Sequence, residues 1–295
     1  MTHLKFRKIA LCITILCAWL GIIACNQNPQ TNANPTAAPT TPPNGADADK
    51  EAAKAAISKG LAHIDALTQP IEPNAALVLH YLQRKFSLNQ KYAFTHFYPT
   101  YPIAGPKGKA MERMVNPNAT ATLADLGERR KGATLLDNLS NTSYMMNCAL
   151  MCDKIPLPDD FFDLLEQQTL LDRYFLTHAA MSLQWLQENN CLTEPNNAQQ
   201  LKTKQHELLV KLIVNLGKPT DLQMEAIATL LYTGGQNLLQ KSWIDAIIKS
   251  QLPNGGWALG DFSTDKPHNH ATVHALWVLL EYVYPTAPQT NWIMR

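Results

Sequence analysis

Residues 251–257 read Gln-Leu-Pro-Asn-Gly-Gly-Trp. The stretch closes one helical pattern, turns through Pro253-Asn254-Gly255-Gly256, where positive φ is tolerated, and begins a return at Trp257. On its two sides, over 237–251 and 269–284, apolar residues recur with a 3.6-residue period, so the turn joins two antiparallel helices. The same grammar extends outward along the chain. Asp49 to Leu67 is alanine-rich with an Asp cap, and Ile57, Leu61 and Ile64 fall on one stripe. Asn74 to Phe86 continues with Leu77, Leu79, Tyr81 and Leu82. Further helical patterns cover 120–139, 141–153, 159–189, 197–216 and 221–233. Their connections are short and carry breakers: Ile155-Pro156-Leu157-Pro158, Glu194-Pro195-Asn196, Gly217-Lys218-Pro219 and Gly234-Gly235. No segment alternates as a half-buried strand would. The expected fold over 47–295 is all-α, with antiparallel helical hairpins stacked into a partial or complete ring.

The pattern Gln251-x-x-x-Gly255-x-Trp257 resembles the QW repeat of the α/α-toroid proteins, among them the triterpene cyclases. Protein prenyltransferases carry similar Gly-Gly-Trp turns. The likeness covers one repeat, with Lys241 and Trp243 as loose matches to its upstream half. It implies an α/α toroid, in which such a turn joins an outer helix to an inner one, and implies no activity. The Asp-x-Asp-Asp motif of protonating cyclases is absent from the sequence. Asp159-Asp160-Phe161-Phe162-Asp163 does spell the magnesium motif of ionising terpene synthases. It follows Pro156 and Pro158 directly, however, where acids are expected as N-cap and first-turn residues.

The chain has 295 residues, 46% hydrophobic and 17% charged, with 25 Lys+Arg against 24 Asp+Glu. Near-neutrality without basic runs excludes a nucleic-acid binder. Lys5, Arg7 and Lys8 precede an uncharged apolar run, Ile9 to Ala24, too short to span a membrane comfortably and shaped like a secretory signal. Its end, Ile22-Ile23-Ala24-Cys25, resembles the lipobox of bacterial lipoproteins, in which the cysteine is acylated and becomes the mature N-terminus. In that family Asp after the cysteine marks inner-membrane retention, so Asn26 points to the outer membrane. Removing 1–24 takes away three basic and no acidic residues, leaving 22 against 24, a formal −2. Residues 25–46 hold the lipidated Cys25 and then no charge, no aromatic and no aliphatic larger than Ala, an extended Pro-stiffened tether.

Several residues carry possible chemistry. His268, His270 and His274 cluster at the start of the last helical pattern, and His270 and His274 share one face. With the third His, or with Asp261 or Asp265, they are candidate ligands for zinc in an open site. Tyr174 and His178 likewise share a face, and with Asp172 and His274 they are the candidate catalytic groups. Thr177-His178-Ala179 and Val273-His274-Ala275 also match as a faint internal repeat, which directs both histidines to one centre. Between Asn89 and Gly108, aromatics interleaved with Pro and Gly form a long loop. Its Tyr98 and Tyr101, with Trp257, are candidate ligand contacts. Of the cysteines outside the signal and anchor, Cys148 or Cys152 is expected to pair with Cys191, leaving a buried thiol.

Three functions fit these features. The first is an envelope lipoprotein whose helical ring binds a ligand or protein partner in a concave face. The second is an extracytoplasmic α/α-barrel enzyme of lyase or hydrolase type acting on a polysaccharide, with metal assistance if the histidines bind one. The third is an assembly accessory protein with no ligand site.

Overall fold

Nine α-helices and three short 3-10 turns, with no β-strand, make up the described residues of the computed structural model. These are 46–69, 71–88, 109–171, 173–192, 195–214, 217–260 and 266–294. Cys25, Tyr98, Tyr101, Asp172, Asp261 and Asp265 lie outside them. The helices are α1 (Ala46–Asp65), α2 (Pro73–Phe86), α3 (Leu135–Met151), α4 (Phe161–Thr169), α5 (Arg173–Glu188), α6 (Pro195–Leu212), α7 (Asp221–Tyr232), α8 (Lys241–Lys249) and α9 (Asn269–Val283). Among the described residues no helix is long and apolar enough to cross a membrane.

Three expected helices are shorter than their periodicity suggested. Over 120–139 the chain makes only a 3-10 turn, Leu123–Leu126, before α3 begins at Leu135. Thr122 and Asp125 close a capping box around that turn, and Gly127, at φ 89°, ends it in a conformation few other residues adopt. A second box, Thr134 with Asp137, then starts α3. The single helix expected over 159–189 is two, α4 and α5, separated by a turn after Thr169 with Arg173 at φ 54°. Over 237–251, a 3-10 turn at Gln236–Leu238 precedes α8. Asp160 is the N-cap of α4 but makes no capping bond. It pairs with Arg129 instead, so the Asp159–Asp163 motif ends as a surface ion pair and first-turn acids.

Burial sorts the helices into two layers. Thirteen of the 15 residues of α9 are buried, against three of the 18 in α6. Packing places α2, α9, α7, α5 and α3 side by side as an inner row, with α1, α4, α6 and α8 outside it. Long-range hydrogen bonds fix the directions within the row. Glu72, the N-cap of α2, accepts from the backbone of His270 at the start of α9, while Lys85 near the end of α2 pairs with Glu281 near the end of α9, at 2.5 Å. Tyr174 and Asp221 meet at the starts of α5 and α7, and Glu188 and Tyr232 at their ends. Asn189, just past α5, donates to Ala149 and Leu150 at the end of α3. The five inner helices therefore run parallel, with outer helices reversing the chain between them, which is compatible with an α/α toroid arrangement. Among the described residues, α3 is the one inner helix preceded by 3-10 turns instead of an outer α-helix, and its first turns leave Leu135, Leu136 and Leu139 exposed.

At the C-terminal ends of the inner helices the centre is filled by residues 291–294. Trp292 is 4% exposed. Its ring stacks on Tyr81 at 5.3 Å and meets Trp185, Tyr232 and Trp277 edge-on at 5.2–5.9 Å. Arg84 donates to the carbonyls of Asn291 and Trp292, Ile293 N–H donates to Glu188, and Met294 N–H to the Arg113 carbonyl. Arg113 in turn bonds Leu150 and Asp153 at the end of α3. The chain end thus joins the α2 side of the row to the α3 side. A disulfide between Cys152 and Cys191, 39 residues apart, ties the ends of α3 and α5. Cys148 is the buried thiol, which burial pushes up to about 12.

Trp292→Ala removes the ring that fills the centre, and the variant is expected to lose about 3–5 kcal/mol in urea unfolding. Unchanged stability would show that the aromatic cluster packs without it. The acid limb of the stability curve supplies a second test. Burial, with the Arg84 charge one turn on, lowers His80 to about 4, so the unfolded chain takes up that proton first. Stability should fall as pH drops from about 6.5 to 4, by at most about 1.4 kcal/mol per pH unit for this one proton. His80→Gln should flatten the urea-midpoint profile over that interval by the same amount.

Candidate functional site

The turn at 251–257 is a structural joint. Gln251 Nε2 donates to the carbonyls of Gly255 and of Ala56 in α1, at 2.8 Å each. Gly255, at φ 91°, lies so close to the Lys59 carbonyl that a Cβ would come within 2.4 Å of it. Trp257 is 1% exposed, donates from its indole to Ile247, and packs against Gly60. It therefore locks α8 and the start of the return to α1, and its ring is enclosed by protein.

A concentration of ionisable side chains sits at the other end of the row from Trp292, where the N-terminal ends of α5, α7 and α9 meet. Each helix contributes two groups one turn apart: Tyr174 and His178, Asp221 and Glu225, His270 and His274. Spacing of four puts each pair on one helix face. The second member is followed by alanine every time, Ala179, Ala226 and Ala275, all at most 1% exposed. These small residues let the helices approach closely beside the polar groups.

Asp221 is the hub. Its two carboxylate oxygens are each 2.9 Å from His270 Nδ1, and it accepts from the Tyr174 hydroxyl at 2.8 Å. Thr220, immediately before it, forms a capping box with Gln223 that fixes the start of α7 and so the position of the carboxylate. Glu225, one turn on, accepts from Thr177 at 2.5 Å. It lies 3.7 Å from His178 Nε2 through one oxygen and 3.8 Å from His270 Nε2 through the other. That second oxygen, Oε2, is buried without a hydrogen-bond donor. His274 donates through Nδ1 to the His270 backbone carbonyl at 2.9 Å, and the two imidazoles stand 4.3 Å apart.

The electrostatics follow from burial and from the single cation that forms. Burial opposes charge on His270, but the Asp221 hydrogen bond and charge, backed by Glu225 and Glu72, raise it to about 9. Burial would raise Asp221, but its bonds to His270 and Tyr174 hold it below the usual carboxylate range. Glu225 is pushed up to about 7 by burial and by the neighbouring Asp221. Burial and the His270 charge bring His274 down to about 3 and lower His178 as well, so both stay neutral. Burial and the two carboxylates push the Tyr174 hydroxyl far upward, which keeps it a donor.

The structure thus gathers His178, Tyr174, His270 and His274 from the residues that the sequence singled out. His268 stands apart. It is the N-cap residue of α9, with 43% of its side chain exposed, and faces Glu72 at 3.6 Å. Asp221, His270 and His274 each offer a donor atom within 4.8 Å of the others. Asp221 and Glu225 were missed from sequence because an acid at a helix start and one a turn later read as ordinary capping. The signal that finds them is a period: His178-Ala179, Glu225-Ala226 and His274-Ala275 recur at intervals of about 48 residues, each preceded four positions earlier by another polar group. Comparison with protein-family models, curated proteins and solved structures finds no match to this chain.

The two carboxylates should respond in opposite ways to neutralisation. Asp221→Asn leaves the His270 charge without its anion and is expected to cost about 3–5 kcal/mol. Glu225→Gln removes a carboxylate that burial disfavours, and should be within about 1 kcal/mol of the wild type or more stable. Urea unfolding of the two variants checks the ranking. The reverse order would show that Glu225, not Asp221, holds the three helices.

Proposed function

We propose that this chain is a lipoprotein of the bacterial envelope, acylated at Cys25, whose helical domain binds a small polar ligand. Residues 25–45, up to the start of α1, are the tether and the outer membrane the location. The observation that carries the binding reading is the convergence of three i, i+4 polar pairs on the inner row's N-terminal end. Helix packing accounts for the carboxylates there but has no use for the neutral imidazoles of His178 and His274 beside them, each of which must be desolvated to be there. Access is from the α5 side, where His178 keeps 24% of its side chain open and Tyr174 is half-buried. The disulfide between Cys152 and Cys191 supports an oxidising compartment such as the periplasm.

The enzymatic reading, an extracytoplasmic hydrolase or lyase acting on polysaccharide, has one observation in its favour. Asp221 and Glu225 are neighbours whose acidities are driven apart, one down and one up to about 7, as in a general acid paired with a fixed anion. It stands second because the Asp221 and Glu225 side chains are only 6% and 2% exposed, too enclosed for either to touch a polymer directly.

Fractionation and native mass spectrometry test both parts of the proposal. Cys25→Ser should move the protein from the membrane to the soluble fraction. Wild-type protein taken from envelopes should carry a bound mass that His178→Ala loses while unfolding at the wild-type temperature. A wild type with no adduct, unstabilised by small polar compounds in thermal unfolding, overturns the binding reading. Release of soluble fragments from cell-wall polysaccharide by the wild type but not by Glu225→Gln would put the enzyme first.

A further inference from the structure

We propose that Asp221, His270 and His274 together hold a divalent transition metal of the zinc class at the polar end of the inner row. The inference rests on the binding reading above and names the chemistry of that site.

Two helices bring the three side chains together. Asp221 sits in the first turn of α7, fixed by the Thr220–Gln223 capping box, and His270 and His274 stand one turn apart on α9. Each offers one donor atom, and the three atoms lie within 4.8 Å of one another. Among the described residues no other group of three His, Cys, Asp or Glu side chains does so. Donors sharing an ion at about 2.0–2.2 Å stand about 3–4 Å apart, so a side-chain shift of about an ångström or less closes the set. Asp221 and His270 are already that close, with Nδ1 2.9 Å from Oδ1. All three residues are buried, so their donor atoms are largely stripped of water before an ion arrives.

Each donor is also held from behind, which is how proteins aim metal ligands. Tyr174 donates to Asp221 Oδ2, leaving Oδ1 for the ion. His274 donates from Nδ1 to the His270 carbonyl at 2.9 Å, so its Nε2 carries the lone pair. His270 binds through Nδ1. There the ion takes the place of the proton that Nδ1 gives to Asp221, and that proton leaves to solvent. The proton kept on His270 Nε2 then faces Glu225 Oε2, 3.8 Å away, an oxygen buried without a hydrogen-bond donor. Thr177 holds the other oxygen of Glu225 and so orients the carboxylate. Glu225 is a positioning residue behind His270 and does not touch the ion.

Two imidazoles and one carboxylate suit zinc over calcium or magnesium, which prefer all-oxygen sets. Three protein ligands leave a coordination position for water or for a ligand's own donor atom, which joins the ion to the binding reading. His268, the third histidine of the sequence cluster, takes no part, since it faces Glu72 with 43% of its side chain exposed.

The test is zinc titration of the mature full chain in detergent, after chelator treatment, by calorimetry and elemental analysis. The wild type should bind one zinc per chain. With cobalt(II) in its place, proton NMR should show two exchangeable, paramagnetically shifted imidazole N–H signals, one for each ligating histidine. His274→Gln should remove one of them and weaken zinc binding by about 100-fold or more, and Glu225→Gln should weaken it by about 10-fold while unfolding near the wild type in zinc-free buffer. Asp221→Asn should bind no more tightly than His274→Gln; if it fails to fold, the cobalt signals still read the ligand set in the wild type. His268→Gln should bind as the wild type does. Absence of stoichiometric zinc in the wild type overturns the inference, as does undiminished binding by His274→Gln or loss of a shifted signal in His268→Gln. If zinc does not bind while the envelope-derived adduct is still lost in His178→Ala, the metal fails and the binding reading stands. If neither is seen, both fail.

Discussion

Asp221 ties three helices with one carboxylate. It sits in the first turn of α7, accepts from Tyr174 in the first turn of α5, and engages His270 in the first turn of α9. That junction answers the main difficulty of the architecture. Parallel inner helices bring several N-terminal ends together, each carrying the equivalent of about half a positive charge. Anions placed there offset the repulsion, and Asp221, with Glu72 capping the start of α9, is where the chain puts them. The carboxylates therefore have a structural reason to stand at this end of the row. His178 and His274 beside them do not, because burial disfavours their charge and keeps both neutral.

The two ends of the inner row are filled by opposite means. Around Trp292, aromatic rings from α2, α5, α7 and α9 close on an indole delivered by the chain terminus, and arginines answer the carbonyls that gather there. Rigid apolar packing at that end leaves the other end free to be polar, since the helices are already held in place. Lys85 and Glu281 are buried together at the aromatic end and satisfy one another, whereas Glu225 at the polar end keeps an oxygen without a donor.

Much of this was legible in the chain. The 3.6-residue period gave the helices, and Gln251 and Trp257 make the joint between outer and inner helix that their turn implied, with Gln251 bonding to α1 as well. The period overran wherever polar side chains diverted the backbone. Thr122 with Asp125 and Thr134 with Asp137 stop and restart the chain at positions where apolar spacing alone continues a helix. The break at Arg173 is a left-handed residue with no proline or glycine to announce it. Among the site residues, His178 and His274 stood out because histidine is rare and the Ala after each matched. Asp221 and Glu225 did not stand out, because an acid near a helix start is common whether or not it faces anything.

The sequence by itself determined the helical class, the places where helices turn back, and the pairs that share a face, because these depend on residues within a turn or two of one another. Tertiary structure alone decided that α5, α7 and α9 run parallel and start at one level, and that Cys152, not Cys148, meets Cys191. It also decided that His268 is left outside while Asp221 and Glu225 are brought in. Those outcomes depend on how helices about 48 residues apart in the chain are aligned. Close packing through buried alanines and one shared carboxylate fix that alignment, and no local pattern contains it.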